Sequence, residues 1–125
     1  MHGKFVTGIN CMDGRVQLPV IEYLKDKYGA DYVDMITEPG PIKILSENEE
    51  KFAVESMRNR ARISAECHGS GLVAVVGHYD CAGNPVCREV QRTQTLSAME
   101  VVRSWKLHGQ IIGLWVDENW EVCEI

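Results

Sequence analysis

Short apolar runs rich in β-branched residues recur along the chain and are separated by longer segments with helical periodicity. Runs of this length and composition are typical of strands, and those without polar alternation are typical of buried parallel strands. The predicted strands are residues 4–10, 31–36, 72–77 and 111–116, followed after a turn by a last short strand at 120–125. We expect this last strand to lie antiparallel at an edge of the sheet.

Two helices are predicted between the first three strands. The first has Pro19 in its first turn and ends at Gly29, because glycine commonly stops helices. The second begins at a capping box, in which the Ser46 hydroxyl and the Glu49 carboxylate satisfy each other's free backbone N–H groups. It runs to about Cys67 and presents its apolar residues on one face.

The chain after the third strand predicts further helices. Pro85 is expected to open a short helix, and a longer helix is expected from about Thr95 to Gly109. This alternation predicts an α/β fold with a mostly parallel open sheet, four parallel strands plus an antiparallel edge strand, and helices on both faces. The 125 residues are enough for one compact domain and too few for two, so residues 1–125 are expected to form a single domain.

Composition and charge exclude several kinds of partner. The formal net charge is -5, and the basic residues are scattered, so we expect no nucleic-acid partner. The longest apolar run is far too short to span a membrane, so no membrane partner is expected either. Five cysteines and the lack of a signal-peptide pattern at the N-terminus favour a reducing cytoplasm.

Potential metal ligands follow two of the predicted strands. Cys11 comes directly after the first strand, and His78 and Cys81 follow the third. Two thiolates and an imidazole suit zinc, and three protein ligands leave a fourth position open, as in catalytic zinc sites. If the second and third strands lie on opposite sides of the first, these residues meet in the crevice where an open α/β sheet binds its ligand.

Asp13 and Arg15 lie close to the first of these cysteines in the sequence. In one interpretation Asp13 accepts a hydrogen bond from a zinc-bound water, and Arg15 keeps it ionised and oriented. In the other, Asp13 binds the zinc itself and closes the site, which leaves Arg15 unpaired. The sequence does not choose between these two geometries.

The segments 11–15 and 77–83, in this order and each closing a predicted strand, resemble the β-class carbonic anhydrases, and the resemblance extends over most of the chain. It implies one zinc domain over residues 1–125, with Zn²⁺ as the cofactor. Residue by residue, the match covers the metal ligands of that family and the dyad after the first cysteine: Cys11, His78, Cys81, Asp13 and Arg15.

The resemblance implies a lyase that reversibly hydrates carbon dioxide to bicarbonate by a zinc-bound hydroxide, in a homodimer or higher homo-oligomer. The chain departs from the family pattern at residues 37–41, where only a glycine clearly matches, and at Ala82, where the family commonly has glycine. It also lacks the N-terminal helical arm and a matching substrate-binding glutamine. Two alternatives therefore stay open, a non-catalytic zinc-binding member and a related zinc hydrolase of carbonyl sulfide or carbon disulfide.

The remaining cysteines and histidines have no comparable sequence context. We expect the other cysteines, Cys67, Cys87 and Cys123, to be small buried hydrophobic residues. The other histidines are candidates for relaying protons to solvent, with nothing to rank one above another: His2, His68 and His108. No Gly-x-Gly-x-x-Gly, Walker or Cys-x-x-Cys pattern is present, so nucleotide binding and thioredoxin-like redox chemistry are not predicted.

Overall fold

The structure is a computed structural model that describes residues 3–125. Strands and helices alternate along the chain, as the apolar pattern predicts. Their bounds are β1 Phe5–Cys11, α1 Gln17–Tyr28, β2 Tyr32–Glu38, α2 Pro41–Glu47, α3 Lys51–Cys67, β3 Leu72–His78, α4 Arg88–Ser104, β4 Gln110–Val116 and β5 Val122–Glu124.

The described strands form one sheet in the order β2-β1-β3-β4-β5. The pairs β1–β2, β1–β3 and β3–β4 are parallel, and β5 lies antiparallel to β4 at one edge. This arrangement confirms the predicted fold class. It also places β2 and β3 on opposite sides of β1, so the connections that leave β1 and β3 diverge at the carboxyl ends of these strands.

Apolar side chains from alternate strand positions build a core on each face of the sheet. Ile9 and Val75 pack under α2, α3 and α4 on one face, while Val6 and Ala74 pack under α1 on the other. The central strand β3 is buried over its whole length. Strands buried on both faces and covered by helices are what the near-continuous apolar runs of a parallel sheet predict.

Helix α1 ends where the sequence predicts. Gly29 follows its last residue in the left-handed conformation, with φ 67°, and its N–H donates to the Lys25 carbonyl. Helix α3 ends at Cys67 as expected and buries the predicted residues Val54, Met57, Ala61 and Ala65. No helix within residues 3–125 is both long enough and apolar enough to cross a membrane.

The predicted capping box is wrong. Ser46 lies inside α2, where its hydroxyl donates to the Lys43 carbonyl, and α3 begins only at Lys51 after Glu50. Gly40 and Pro41 explain the additional helix, because proline is well tolerated at the first helical position. Helix α2 then buries its apolar side chains in the core, which a capping interpretation of Ser46 overlooked.

The prediction for residues 85–109 is also wrong in its boundaries. One helix, α4, begins at Arg88 and ends at Ser104, and Pro85 lies in the irregular segment before it. The predicted last strand shortens to Val122–Glu124 because Trp120 adopts a left-handed backbone conformation with φ 61°. The three cysteines expected to be buried are exposed instead: Cys67, Cys87 and Cys123. Each lies at a helix end or on the edge strand, where no core covers it.

Candidate metal centre

The candidate centre lies where β1 and β3 end. Cys11 is the last residue of β1, His78 is the last residue of β3, and Cys81 follows in the connection to α4. Because β1 pairs with β2 on one side and with β3 on the other, this is the point where neighbouring connections diverge. The topology therefore brings together residues about 70 positions apart in the sequence.

The three ligand atoms form a compact cluster. The sulfurs of Cys11 and Cys81 are 3.9 Å apart, and the two sulfurs and a nitrogen of His78 all lie within 4.8 Å of one another. Two sulfurs bound at 2.3 Å to one tetrahedral ion are about 3.8 Å apart, which matches this spacing. All three residues are buried, with 4%, 1% and 4% of their surface exposed for Cys11, His78 and Cys81.

The hydrogen bonds of His78 leave one ring nitrogen for a metal ion. Nδ1 lies 2.7 Å from the carbonyl oxygen of Tyr79, so Nδ1 carries the proton and donates it. Nε2 is then an acceptor that is buried without a hydrogen-bond partner among residues 3–125. A buried acceptor without a partner is costly, and metal-binding histidines usually donate their other N–H to a carbonyl in this way. The cluster fits a metal ion that prefers nitrogen and sulfur ligands.

The two cysteines differ in pKa, and Cys11 is the one that loses its proton more easily. A hydrogen bond from Cys81 lowers the pKa of Cys11 against the effect of burial, and His78 and the Gly40 backbone lower it further. The same contact raises the pKa of Cys81, because the proton of Cys81 is held against the Cys11 sulfur. Burial of Cys81 raises this pKa further. Burial lowers the pKa of His78, but the contacts with Cys11 and the Tyr79 carbonyl outweigh it and the net shift is upward. A metal ion that binds here displaces the Cys81 proton.

Asp13 and Arg15 form a bidentate ion pair beside the cluster. Arg15 Nε donates to Asp13 Oδ1 at 3.0 Å, and Nη2 donates to Oδ2 at 2.7 Å. The hydrogen bond from the Arg15 side chain is the main reason that the pKa of Asp13 falls from 3.8 to about 2. Arg15 thus holds the Asp13 carboxylate. Of the two geometries that the sequence left open, this ion pair belongs to the one in which Arg15 orients Asp13.

Arg15 also contacts the second ligand-bearing loop. Its Nη1 donates to Asp80 Oδ2 at 3.2 Å, and its Nη2 donates to the Asp80 carbonyl oxygen at 3.0 Å. The ring of Trp120 stacks on the guanidinium, with 4.6 Å between the ring centroid and the guanidinium carbon. Arg15 therefore links the loop after Cys11 to the loop that carries Cys81.

Two amide side chains, the buried Asn10 and the partly buried Gln17, hold the loop after β1, and the sequence interpretation missed them. Asn10 Oδ1 accepts the Cys11 N–H at 3.0 Å, and Asn10 Nδ2 donates to the Val16 carbonyl at 3.0 Å. Gln17 Nε2 donates to the Cys11 carbonyl at 2.5 Å. The position of Asn10 directly before a ligand was a signal available in the sequence, because a polar side chain at the end of a buried strand needs a partner.

Two glycines allow residues 37–41 to pack on the second loop. A Cβ at Gly83 would lie 2.7 Å from the carbonyl carbon of Pro39, so only glycine fits there. Gly40 has φ +63°, and its backbone is one of the groups that lower the pKa of the Cys11 thiol. The glycine that survives in this divergent segment therefore lies in left-handed backbone, packed on the loop that carries Cys81.

The structure does not bring the proton-relay candidates His68 and His108 to the cluster. His68 stacks on Phe5, the first residue of β1, about 20 Å along the strand from Cys11. Its Nδ1 bonds Asp34 Oδ2 at 2.6 Å. His108 comes just before β4, so it lies at the amino ends of the parallel strands, as His68 does. His2 lies outside the described residues.

Comparison with known proteins agrees with this fold. The β-carbonic anhydrase isoform I from the protozoan Trichomonas vaginalis matches with a TM-score of 0.56 and 16% sequence identity, over 95% of this chain and 81% of that chain. No curated protein matches the sequence. The model of one protein family, described as "Putative carbonic anhydrase", matches residues 1–125, and the chain therefore belongs to that carbonic anhydrase family.

Proposed function

We propose that this protein is a zinc enzyme that reversibly hydrates carbon dioxide to bicarbonate, with Cys11, His78 and Cys81 as the zinc ligands. The observation that carries the proposal is the cluster of two sulfurs and one imidazole nitrogen within 4.8 Å, at the point where β1 and β3 diverge. Membership of a carbonic anhydrase family supports this choice of reaction.

Zinc is the metal that this set of donors suits best. It prefers thiolate and imidazole ligands in a tetrahedral arrangement, and three protein ligands leave one position open. When bound, it supplies a Lewis acid that activates a water molecule for attack on the carbon of carbon dioxide. The orphaned Nε2 of His78 supports its inclusion among the ligands.

Asp13 and Arg15 are proposed to orient the attacking water. The pKa of Asp13 is lowered to about 2 by Arg15, so its carboxylate stays ionised at any working pH and acts only as a hydrogen-bond acceptor. It therefore does not take up the proton that the reaction releases. Arg15 fixes the carboxylate by a bidentate pair and cannot itself compete as an acceptor.

Access and assembly complete the proposal. A cavity of about 470 Å³ lies beside Cys81 and offers carbon dioxide an approach, with apolar residues such as Val86 and Trp115 and charged ones such as Asp80 in its lining. We include a homodimer, because β2 is an edge strand and its Tyr32 is exposed. We also propose that the protein works in the cytoplasm, because thiols must stay reduced to bind a metal.

Stopped-flow measurement of carbon dioxide hydration by zinc-loaded protein tests the proposal. Asp13→Asn is expected to lower kcat/KM by roughly 10- to 100-fold with zinc still bound, since an uncharged amide replaces the carboxylate that accepts from the water. Asp26→Asn, which removes an exposed carboxylate on α1, is the matched control and is expected to leave the rate unchanged. Equal rates for both variants would refute the role of Asp13.

The burial of all three ligands favours one second candidate, a non-catalytic metal-binding protein. Since no more than 4% of any ligand residue is exposed, the ion would chiefly hold the two loops together. This candidate predicts one tightly bound zinc per chain and no hydration of carbon dioxide at any pH. Activity in the zinc-loaded protein that disappears after chelation would exclude it.

A further inference from the structure

Gln91, on the second turn of α4, makes two hydrogen bonds to the backbone of the candidate ligand His78. Its Oε1 accepts the His78 N–H at 3.1 Å, and its Nε2 donates to the His78 carbonyl oxygen at 2.8 Å. Gln91 is 1% exposed, so water does not compete for these bonds. One side-chain amide thus satisfies both backbone groups of a metal-ligand residue.

The need for this contact follows from the sheet. Pairing between β1 and β3 ends at Ile9 with Val75, whereas pairing between β3 and β4 continues to His78 with Val116. The Tyr79 N–H donates to the Val116 carbonyl, so the backbone groups of His78, one residue earlier, face the other side, where pairing with β1 has already ended. Gln91 supplies the two backbone hydrogen bonds that a paired strand would otherwise make to His78.

Gln91 lies in a buried part of α4. The Thr95 hydroxyl donates to the backbone carbonyl of Gln91 at 2.8 Å, and both residues are buried. A Cβ at Gly77 would lie 3.0 Å from Gln91 Oε1 and 3.3 Å from the Thr95 hydroxyl. The absence of a side chain at Gly77 therefore lets the amide reach the strand.

A second amide of α4 holds the other end of the same loop. Asn84 Nδ2 donates to Gln94 Oε1 at 2.7 Å, and Gln94 Nε2 donates back to Asn84 Oδ1 at 3.4 Å. The Asn84 N–H donates to the Cys81 carbonyl at 3.2 Å. Residues 78–84, which carry two of the three candidate ligands, are thus tied to α4 at both ends.

We propose that Gln91 is a positioning residue of the metal centre, which fixes the backbone of His78 so that Nε2 meets the sulfurs of Cys11 and Cys81. The inference rests on the proposed zinc site and deepens it. Without these two hydrogen bonds the end of β3 is free to shift, and the imidazole shifts with it. We therefore expect lower metal affinity and an altered coordination geometry.

The test compares the wild type with Gln91→Met in two measurements. Zinc affinity is measured by competition with a chromophoric chelator, and the metal geometry is followed by the visible spectrum of the Co²⁺-loaded protein. The variant keeps the length of the side chain and removes both hydrogen bonds. It is expected to bind zinc about 10- to 100-fold more weakly and to change the intensity of the cobalt bands. Gln91→Asn, whose shorter amide does not reach His78, provides a milder second variant.

Two controls separate positioning from general stability. Val102→Ala removes buried volume at the far end of α4, and Arg92→Met changes an exposed residue next to Gln91. Urea unfolding measures the stability of every variant, and both controls are expected to keep wild-type zinc affinity and cobalt spectrum. The inference is overturned if Gln91→Met and Gln91→Asn bind zinc within twofold of the wild type with the same spectrum. Wild-type protein that binds neither metal would overturn the proposed function instead.

Discussion

Cys81 is the candidate ligand whose chemistry would change most on metal binding, because its proton is held against the Cys11 sulfur in the metal-free cluster. A serine at this position keeps the size of the side chain but removes the soft sulfur donor that zinc prefers. The neighbouring sulfur, 3.9 Å away, then has no thiol partner. The site loses one of its three protein ligands without a large change in packing.

We therefore expect Cys81→Ser to lose most of its bound zinc. The loss of affinity should exceed the roughly 10- to 100-fold that is typical when a residue hydrogen-bonded to a metal ligand is changed. Zinc content per chain, measured by atomic emission after gel filtration, checks this. Cys123→Ser makes the same chemical change at an exposed cysteine and is expected to keep one zinc per chain. Full zinc content in Cys81→Ser would contradict the assignment of this ligand.

Asp13 gives a prediction about pH. Its pKa is about 2 in the folded chain against an ordinary 3.8, because Arg15 donates hydrogen bonds to the carboxylate. A lowered pKa means that the ion pair stabilises the fold above pH 3.8 and that this contribution is lost as the pH falls towards 2. Arg15 is partly exposed to solvent, which screens the pair, so the effect is small.

The measurement is urea unfolding of the metal-free wild type and Asp13→Asn between pH 5 and pH 2. The wild type is expected to lose more stability over this interval, and the difference between the two curves isolates Asp13. Arg15→Met should abolish the same difference, because it removes the cause of the lowered pKa. Parallel curves for the wild type and Asp13→Asn would show that the pair contributes nothing to folding.

At the scale of secondary structure, the junction between α2 and α3 shows how local sequence signals compete. Ser46 and Glu49 have the spacing of a capping box, but burial of the apolar side chains of α2 takes precedence and places Ser46 inside that helix. Helix α3 consequently begins after Glu50, and no side chain caps its N-terminus in the described structure.

Two substitutions test this boundary. Ser46→Ala is expected to change the free energy of unfolding by less than about 0.5 kcal/mol, whereas a capping serine would be worth about 1 kcal/mol. Glu50→Ser introduces a preferred N-cap residue and is expected to stabilise the chain by roughly 0.5 to 1 kcal/mol. Urea unfolding monitored by circular dichroism measures both, and a loss near 1 kcal/mol in Ser46→Ala would restore the capping box.

For the molecule as a whole, the sequence was sufficient for the alternation of parallel strands and helices and for the placing of Cys11 and residues 78–81 at strand ends, whereas the strand order entered only as a condition that the structure meets. Buried apolar runs and their terminal cysteine and histidine residues are local signals, and the rules of parallel sheets convert them into a topology. The hydrogen bonds of Gln91 and Gln94 were not predictable in this way, since α4 contacts the loop only after the chain has folded. Nothing in the spacing of these glutamines indicates a partner.

Metal binding and folding are expected to be coupled, because the candidate ligands come from β1, from β3 and from the loop after β3 and meet only in the folded chain. An ion that binds the folded form alone raises the free energy of unfolding by about 2.7 kcal/mol when its free concentration is 100 times the Kd. Zinc should therefore raise the urea midpoint of the wild type and of Asp13→Asn, whose three ligands are intact. Cys81→Ser should respond weakly, and Mg²⁺, which prefers oxygen ligands, should have no effect on any of the three proteins. Equal stabilisation of Cys81→Ser and the wild type by zinc would place the ion at another site.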